Sequence, residues 1–111
     1  MKAHSEDWAK KYFEAWNAHD LFKLKKLMCP TVVLWDWENK VEGLEKVIQV
    51  NAHIFLSAPK INATIIELYK RDLTVCAELK IMVSKSESID VVDILRFSRD
   101  GRLASIKAFK C

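Results

Sequence analysis

Beyond Lys60 the chain alternates apolar and polar residues in four runs: Ile61–Tyr69, Leu73–Val83, Ile89–Ser98 and Arg102–Lys110. A period of two is the mark of a strand with one face turned to a core. The breaks between runs are short, namely Lys70-Arg71-Asp72, Ser84–Ser88 and Arg99-Asp100-Gly101. Gly101 tolerates positive φ, so the last break is a hairpin signal. Runs joined this closely pair antiparallel with their neighbours. In the second run Val75, Ala77, Leu79, Ile81 and Val83 form an inner row. The third run reads SIDVVDILRF, with Ile89, Val91, Leu95 and Phe97 on one face and Asp93 in the middle of that row. A carboxylate held among Val, Leu and Phe must find a partner or give up its charge.

Before residue 60 the spacing is mostly helical. Ser5 is placed to cap a first helix, with Glu6 and Asp7 in its first turn, where the helix dipole favours acids. Trp8, Tyr12 and Trp16 recur every fourth residue, widened by Ala9 and Phe13. Tyr12 lies at the centre of this stripe, so its hydroxyl is expected to point inward. Asp20 caps a second, short helix with Leu21, Leu24, Leu27 and Met28 inside and Lys23, Lys25 and Lys26 in water. Pro30 is expected to end that segment. Thr31–Trp37 then reads as a strand with Val32, Leu34 and Asp36 on one face and Val33, Trp35 and Trp37 on the other. Asp36 is the second acid in line with apolar neighbours; as a strand-end carboxylate it can also turn into the loop Glu38–Glu42. After Gly43 a third helix carries Leu44, Val47, Ile48, Asn51 and Phe55 on one face. Asn51 interrupts that face, where it meets a buried partner, a ligand or water. Helices first and strands afterwards argue for an α+β fold whose sheet curls around the helices and leaves a pocket.

A chain of 111 residues, half of them hydrophobic, is one domain with one core, here taken as 1–111. The net charge of +3, from 18 basic and 15 acidic residues, is too small to argue for a nucleic-acid or membrane partner. No apolar run approaches the ~20 residues of a membrane-spanning helix, and MKAHSEDWAKK contains no apolar leader. Cys29, Cys76 and Cys111 are widely spaced and odd in number, so they read as free thiols in a reducing, cytoplasmic compartment. His4, His19 and His53 lack the close spacing of a metal site, so neither a metal nor another cofactor is expected.

The order of elements resembles the nuclear-transport-factor-2-like superfamily, which includes SnoaL-like domains and ketosteroid isomerases. YFEAWNAHDLFKLKKLM is similar to the family's opening helix, turn and second helix, and DVVDILRFSRDGRLASIKAF to its last hairpin. The resemblance covers nearly the whole chain. It implies three N-terminal helices packed in a strongly bent mixed or antiparallel sheet, forming a cone with an apolar pocket. It also implies site residues, because the isomerases use a helix-1 tyrosine, an aspartate base after the first strand and a second aspartate on a later strand. Tyr12, Asp36 and Asp93 stand at the matching positions. The chain departs from the isomerases in having Trp37 after the base, where Pro is common, Asn51 in place of a helix-3 tyrosine, and a shorter loop after Asp36.

Two functions are therefore expected to compete. In the first, ionised Asp36 moves a proton next to a carbonyl while Tyr12 and neutral Asp93 donate hydrogen bonds to the enolate oxygen. Asn51, Trp35, Phe55, Val91 and Leu95 are the expected ligand contacts, and the ligand is a small apolar molecule. In the second, the same domain binds a ligand without chemistry or pairs as a homodimer through its open sheet face, with Val92, Ile94, Ala104, Ile106 and Ala108 as an outward patch. A hydrolase or dehydratase ranks lower, because His53 falls off the helix-3 stripe and Arg96 faces away from Asp93 by strand parity.

Overall fold

The computed structural model describes residues 4–111; Met1–Ala3, the start of the stretch inspected for a leader, lie outside the described residues. Helix α1 spans Ser5–Asn17 and buries Ala9, Tyr12, Phe13 and Trp16 of the expected stripe, with Ala15 in addition and Trp8 only half-buried. Its cap differs from expectation. His4 occupies the N-cap position with no side-chain cap bond. The Ser5 hydroxyl instead donates to the Asp72 carbonyl at 2.7 Å. That bond fastens the start of α1 to a distant turn, which a local capping rule cannot see. At the other end Asn17 acts as an extra strand residue. Its Nδ2 donates to the Ala63 carbonyl at 2.9 Å, and the Ala63 amide donates to its Oδ1 at 2.7 Å. His19 Nε2 lies 2.8 Å from the Ile61 carbonyl, and its ring stacks on Phe55 at 4.2 Å.

Asp20 caps α2, Leu21–Leu27, by accepting from the Lys23 amide at 3.0 Å. Strand β1 then begins at Met28 and runs to Trp35, so Pro30 lies inside a strand instead of closing the helix. The register with β6 shifts between Met28 and Val33, and an irregular stretch of this kind accommodates a residue without an N–H. A short β2, Lys40–Glu42, pairs antiparallel with β1 where only a loop was expected. Gly43, at φ +98°, turns the chain into α3, Leu44–Ser57.

The remaining strands are β3, Asn62–Arg71; β4, Thr74–Met82; β5, Ser88–Phe97; and β6, Leu103–Lys110. The six-stranded sheet has the order β2-β1-β6-β5-β4-β3, curved and not closed. All neighbours are antiparallel except β1 and β6, which run parallel. The architecture is α+β, with α1 over β3 and β4 and α3 over β1 and β2. The inner row of β4 buries Val75, Ala77 and Leu79, and that of β5 buries Val91, Asp93, Leu95 and Phe97, as the alternation implies. The outward patch needs correction. Ile106 pairs with Leu95 and Ala108 with Asp93, so both share the inner face; Lys107, opposite Ile94, takes the outward position. A register shift between Arg96 and Phe97 sets the parity of β6, and a short sequence run does not reveal such a shift.

The β5–β6 hairpin is closed by Ser98–Arg102, where Gly101 has φ +88°. A Cβ on Gly101 would stand 3.0 Å from Trp8 Cε2. Gly101→Ala therefore meets both a disfavoured backbone and an indole ring, and should lower stability in chemical denaturation by about 1–3 kcal/mol. Gly101→Ala should cost less in a Trp8→Ala background, giving a non-additive double-mutant cycle. An unchanged unfolding midpoint in Gly101→Ala would contradict this account of the turn.

Candidate active site

The inner rows of the sheet and the facing sides of α1 and α3 enclose a cavity of about 230 Å³, lined mostly by apolar side chains. Register explains why it is open beside Asp93. On β5 this residue stands between Ala77 of β4 and Ala108 of β6, its direct cross-strand partners. Of the two, Ala108 lines the cavity, and its methyl group is too small to cover the carboxyl, so a hollow remains there.

Asp93 is 8% exposed. Burial, and secondarily the charge of Asp36, push its carboxyl up to about 7. Tyr12 approaches from α1 and is 5% exposed. Burial, with the Asp93 charge second, raises its phenol well above the ordinary tyrosine value. Neither the Tyr12 hydroxyl nor the Asp93 carboxyl has a hydrogen-bond partner among the described residues, yet no sealed side-chain oxygen or nitrogen there lacks one. Both groups line the cavity, so their oxygens address its open space.

Asp36 lies just past β1 and lines the same cavity. It also anchors the following turn. Its Oδ1 accepts from the Glu38 amide at 2.8 Å, the Asn39 amide at 2.6 Å and Asn39 Nδ2 at 3.3 Å. Among the described residues its Oδ2 has only Asn39 Nδ2, at 3.4 Å. The two expectations for Asp36, an inward acid and a turn-forming strand-end carboxylate, describe one side chain: Oδ1 holds the loop and Oδ2 keeps most of its accepting capacity.

The structure thus brings Tyr12, Asp36 and Asp93 to one cavity. Among the expected ligand contacts, Asn51 and Val91 line it. Asn51 has its amide engaged, accepting from Trp16 Nε1 at 3.0 Å and donating to the Val47 carbonyl at 2.9 Å. Trp35, Phe55 and Leu95 lie outside the lining. Trp35 is 44% exposed on the opposite sheet face, with Lys40 Nζ 4.1 Å and Lys107 Nζ 4.4 Å from its ring centre. Phe55 packs on Trp16 and His19, and Leu95 is sealed in the core.

Sequence reasoning missed Glu38 and Asn39, which line the cavity at its rim together with Trp37. Strand parity assigned Trp37 to the outer face with Trp35, but β1 ends at Trp35 and parity ends with it. The available signal was the Asp-x-x-Asn spacing of Asp36 and Asn39, which favours a turn closed by the aspartate oxygen. His53, discounted as a site residue, lies 3.5 Å from the Ser57 hydroxyl and outside the cavity lining. Among the described residues no three His, Cys, Asp or Glu side chains group as a metal site would.

Raising the Asp93 value from 3.8 to about 7 has a sign for stability. The folded state keeps a proton that the unfolded chain releases, so this contribution is complete below about pH 4 and is lost as pH rises towards 7. Asp93→Asn removes it. Denaturation of the two proteins from pH 4 to 8 should show the parent losing about 3–4 kcal/mol relative to the variant. A constant difference across that range would mean that Asp93 is hydrated.

No curated protein matches the chain. Solved structures share its fold at low identity. A candidate ketosteroid isomerase from Kribbella flavida is 16% identical, with TM-score 0.83 over 96% of this chain and 77% of its own. A candidate SnoaL-like polyketide cyclase from Jannaschia sp. is 16% identical, with TM-score 0.84 over 96% of this chain and 84% of its own. A cystatin-like-fold protein of unknown function from Methylobium petroleophilum is 16% identical, with TM-score 0.87 over 100% of this chain and 78% of its own. Residues 9–106 match the SnoaL-like domain family, and the chain belongs to that family.

Proposed function

We propose that the chain is an isomerase that shifts a proton next to a carbonyl group on a small apolar molecule. What supports this reading is one observation: the Tyr12 hydroxyl and the Asp93 carboxyl, which burial pushes up to about 7, have no hydrogen-bond partner among the described residues and line the cavity that Asp36 also lines. A carbonyl oxygen placed between the donors would become more polarised. Asp36 Oδ2 would take a proton from the adjacent carbon, whose C–H electron pair moves into a new C=C bond as the carbonyl oxygen gains charge. The donors stabilise that oxyanion more than the ketone, which is what lowers a barrier. The same carboxyl then returns the proton to the distal carbon, leaving a conjugated ketone. Names given to structural neighbours, isomerase and polyketide cyclase, agree with chemistry on an enolate. The three free cysteines fit a cytoplasmic, reducing setting.

A second reading, compatible with the first, concerns assembly. On the outer sheet face Trp35, Lys107, Ile94, Cys76 and Tyr69 form one cross-strand row by register. Its end residues Trp35 and Tyr69 are 44% and 56% exposed. Two such faces would bury each other in a homodimer. Sedimentation should find a dimer that Trp35→Glu dissociates; a monomeric parent removes this reading.

The catalytic test uses a β,γ-unsaturated ketone. Asp36→Asn should remove turnover, and Tyr12→Phe should lower kcat by about 10²–10³. Because Asp93 donates only while protonated, kcat should fall as pH rises through about 7. Asp93→Asn should be slower but lose that alkaline decline. Turnover that persists in Asp36→Asn contradicts the mechanism.

A further inference from the structure

We infer that the substrate is a neutral carbonyl compound of about two fused rings, and that Trp37 sets this limit; the inference rests on the isomerase reading of the same cavity. Size comes first. The half-open cavity measures about 230 Å³. This is smaller than the ~300–1,000 Å³ typical of sites for drug-sized ligands. A one- or two-ring ketone is enclosed, whereas a four-ring one must project through the rim. Trp37 stands at that rim, 45% exposed and part of the lining, beside the turn that Asn39 and Asp36 hold shut by hydrogen bonds. Its indole is the largest side chain on the way out.

Charge comes second. The lining contains three acids, Asp36, Glu38 and Asp93, and no Lys, Arg or His. Lys110, opposite Val91 in the β5–β6 register, is exposed and stays outside the lining. A carboxylate or phosphate on the substrate would meet Asp36 and Glu38 with no cation in the wall to offset them. Such a repulsive rim discriminates against anions as effectively as a favourable contact selects a partner. The deep end recognises one oxygen through Tyr12 and Asp93, and the walls between are aliphatic, with Ile54, Leu79, Ile81 and Ile89 among them. Recognition of an isolated carbonyl on a compact hydrocarbon is the chemistry this wall supports.

Phenols mimic an enolate without reacting, so binding can be read apart from turnover. Equilibrium binding of 2-naphthol, 6-hydroxy-2-naphthoate and the four-ring phenol estradiol should favour 2-naphthol by at least about tenfold over each of the others. Trp37→Ala should tighten estradiol by about tenfold while 2-naphthol changes less than about threefold. Glu38→Gln should narrow the gap between 2-naphthol and its carboxylated analogue. Estradiol binding as tightly as 2-naphthol, absence of binding by all three, or a Trp37→Ala protein that folds but binds estradiol no more tightly than the parent would overturn the inference. If the binding order holds while Asp36→Asn keeps full turnover, the proposed reaction fails and the size-and-charge limit survives. If turnover depends on Asp36 but the binding order is reversed, the limit fails and the reaction survives.

Discussion

A carboxyl group stands where the layer above it is too small to cover it. Asp93 sits between two alanines in register, Ala77 and Ala108, with Val91 and Leu95 on either side along its own strand. The charged form would lose hydration without gaining a cation, so the group holds its proton to about 7. The hollow and the protonated acid have one cause, the small side chains beside Asp93. A larger residue at 108, on the cavity wall, would fill the space beside the acid.

The rest of the structure brings the other two groups to that hollow. Tyr12 owes its position to α1, which is fastened at both ends by side chains. Ser5 bonds the turn between β3 and β4, and Asn17 pairs with the start of β3. Each such bond is modest alone, but together they fix the axial position of the helix, and so of the phenol. Asp36 owes its position to the end of β1, where three donors to one oxygen close a tight turn. The same turn carries Trp37 and Glu38 to the rim, so in the proposed reading one local device would supply a base, a size filter and a repulsive charge.

The strands were legible because burial enforces a strict period of two, and Asp93 stood out as the exception to it on β5. The helices followed from capping and spacing, and Asp20 caps as expected. What was illegible depended on non-local geometry. Ser5 chose a partner 67 residues away over its own helix. Pro30 was tolerated inside β1 because the neighbouring register is irregular. The parallel pairing of β1 with β6 and the parity of Ile106 depend on how distant segments slide past each other. Among site residues, Tyr12, Asp36 and Asp93 were visible as polar groups on apolar rows. Trp35, Phe55 and Leu95 obeyed the hydrophobic pattern as wall residues do, but the pattern does not distinguish core, outer face and cavity. Resemblance to the family supplied the pairing of the two acids with the phenol, which spacing alone could not.

The protonation of Asp93 is the most direct measure of all this. Carboxyl ¹³C resonances of protein labelled at aspartate can be followed from pH 3 to 9, with Asp93→Asn identifying the signal that disappears. A midpoint near 7 is the result expected here. A midpoint near the ordinary aspartate value of about 4 would mean a hydrated, charged group, with no second donor for an oxyanion and no reason to read the hollow as an active site.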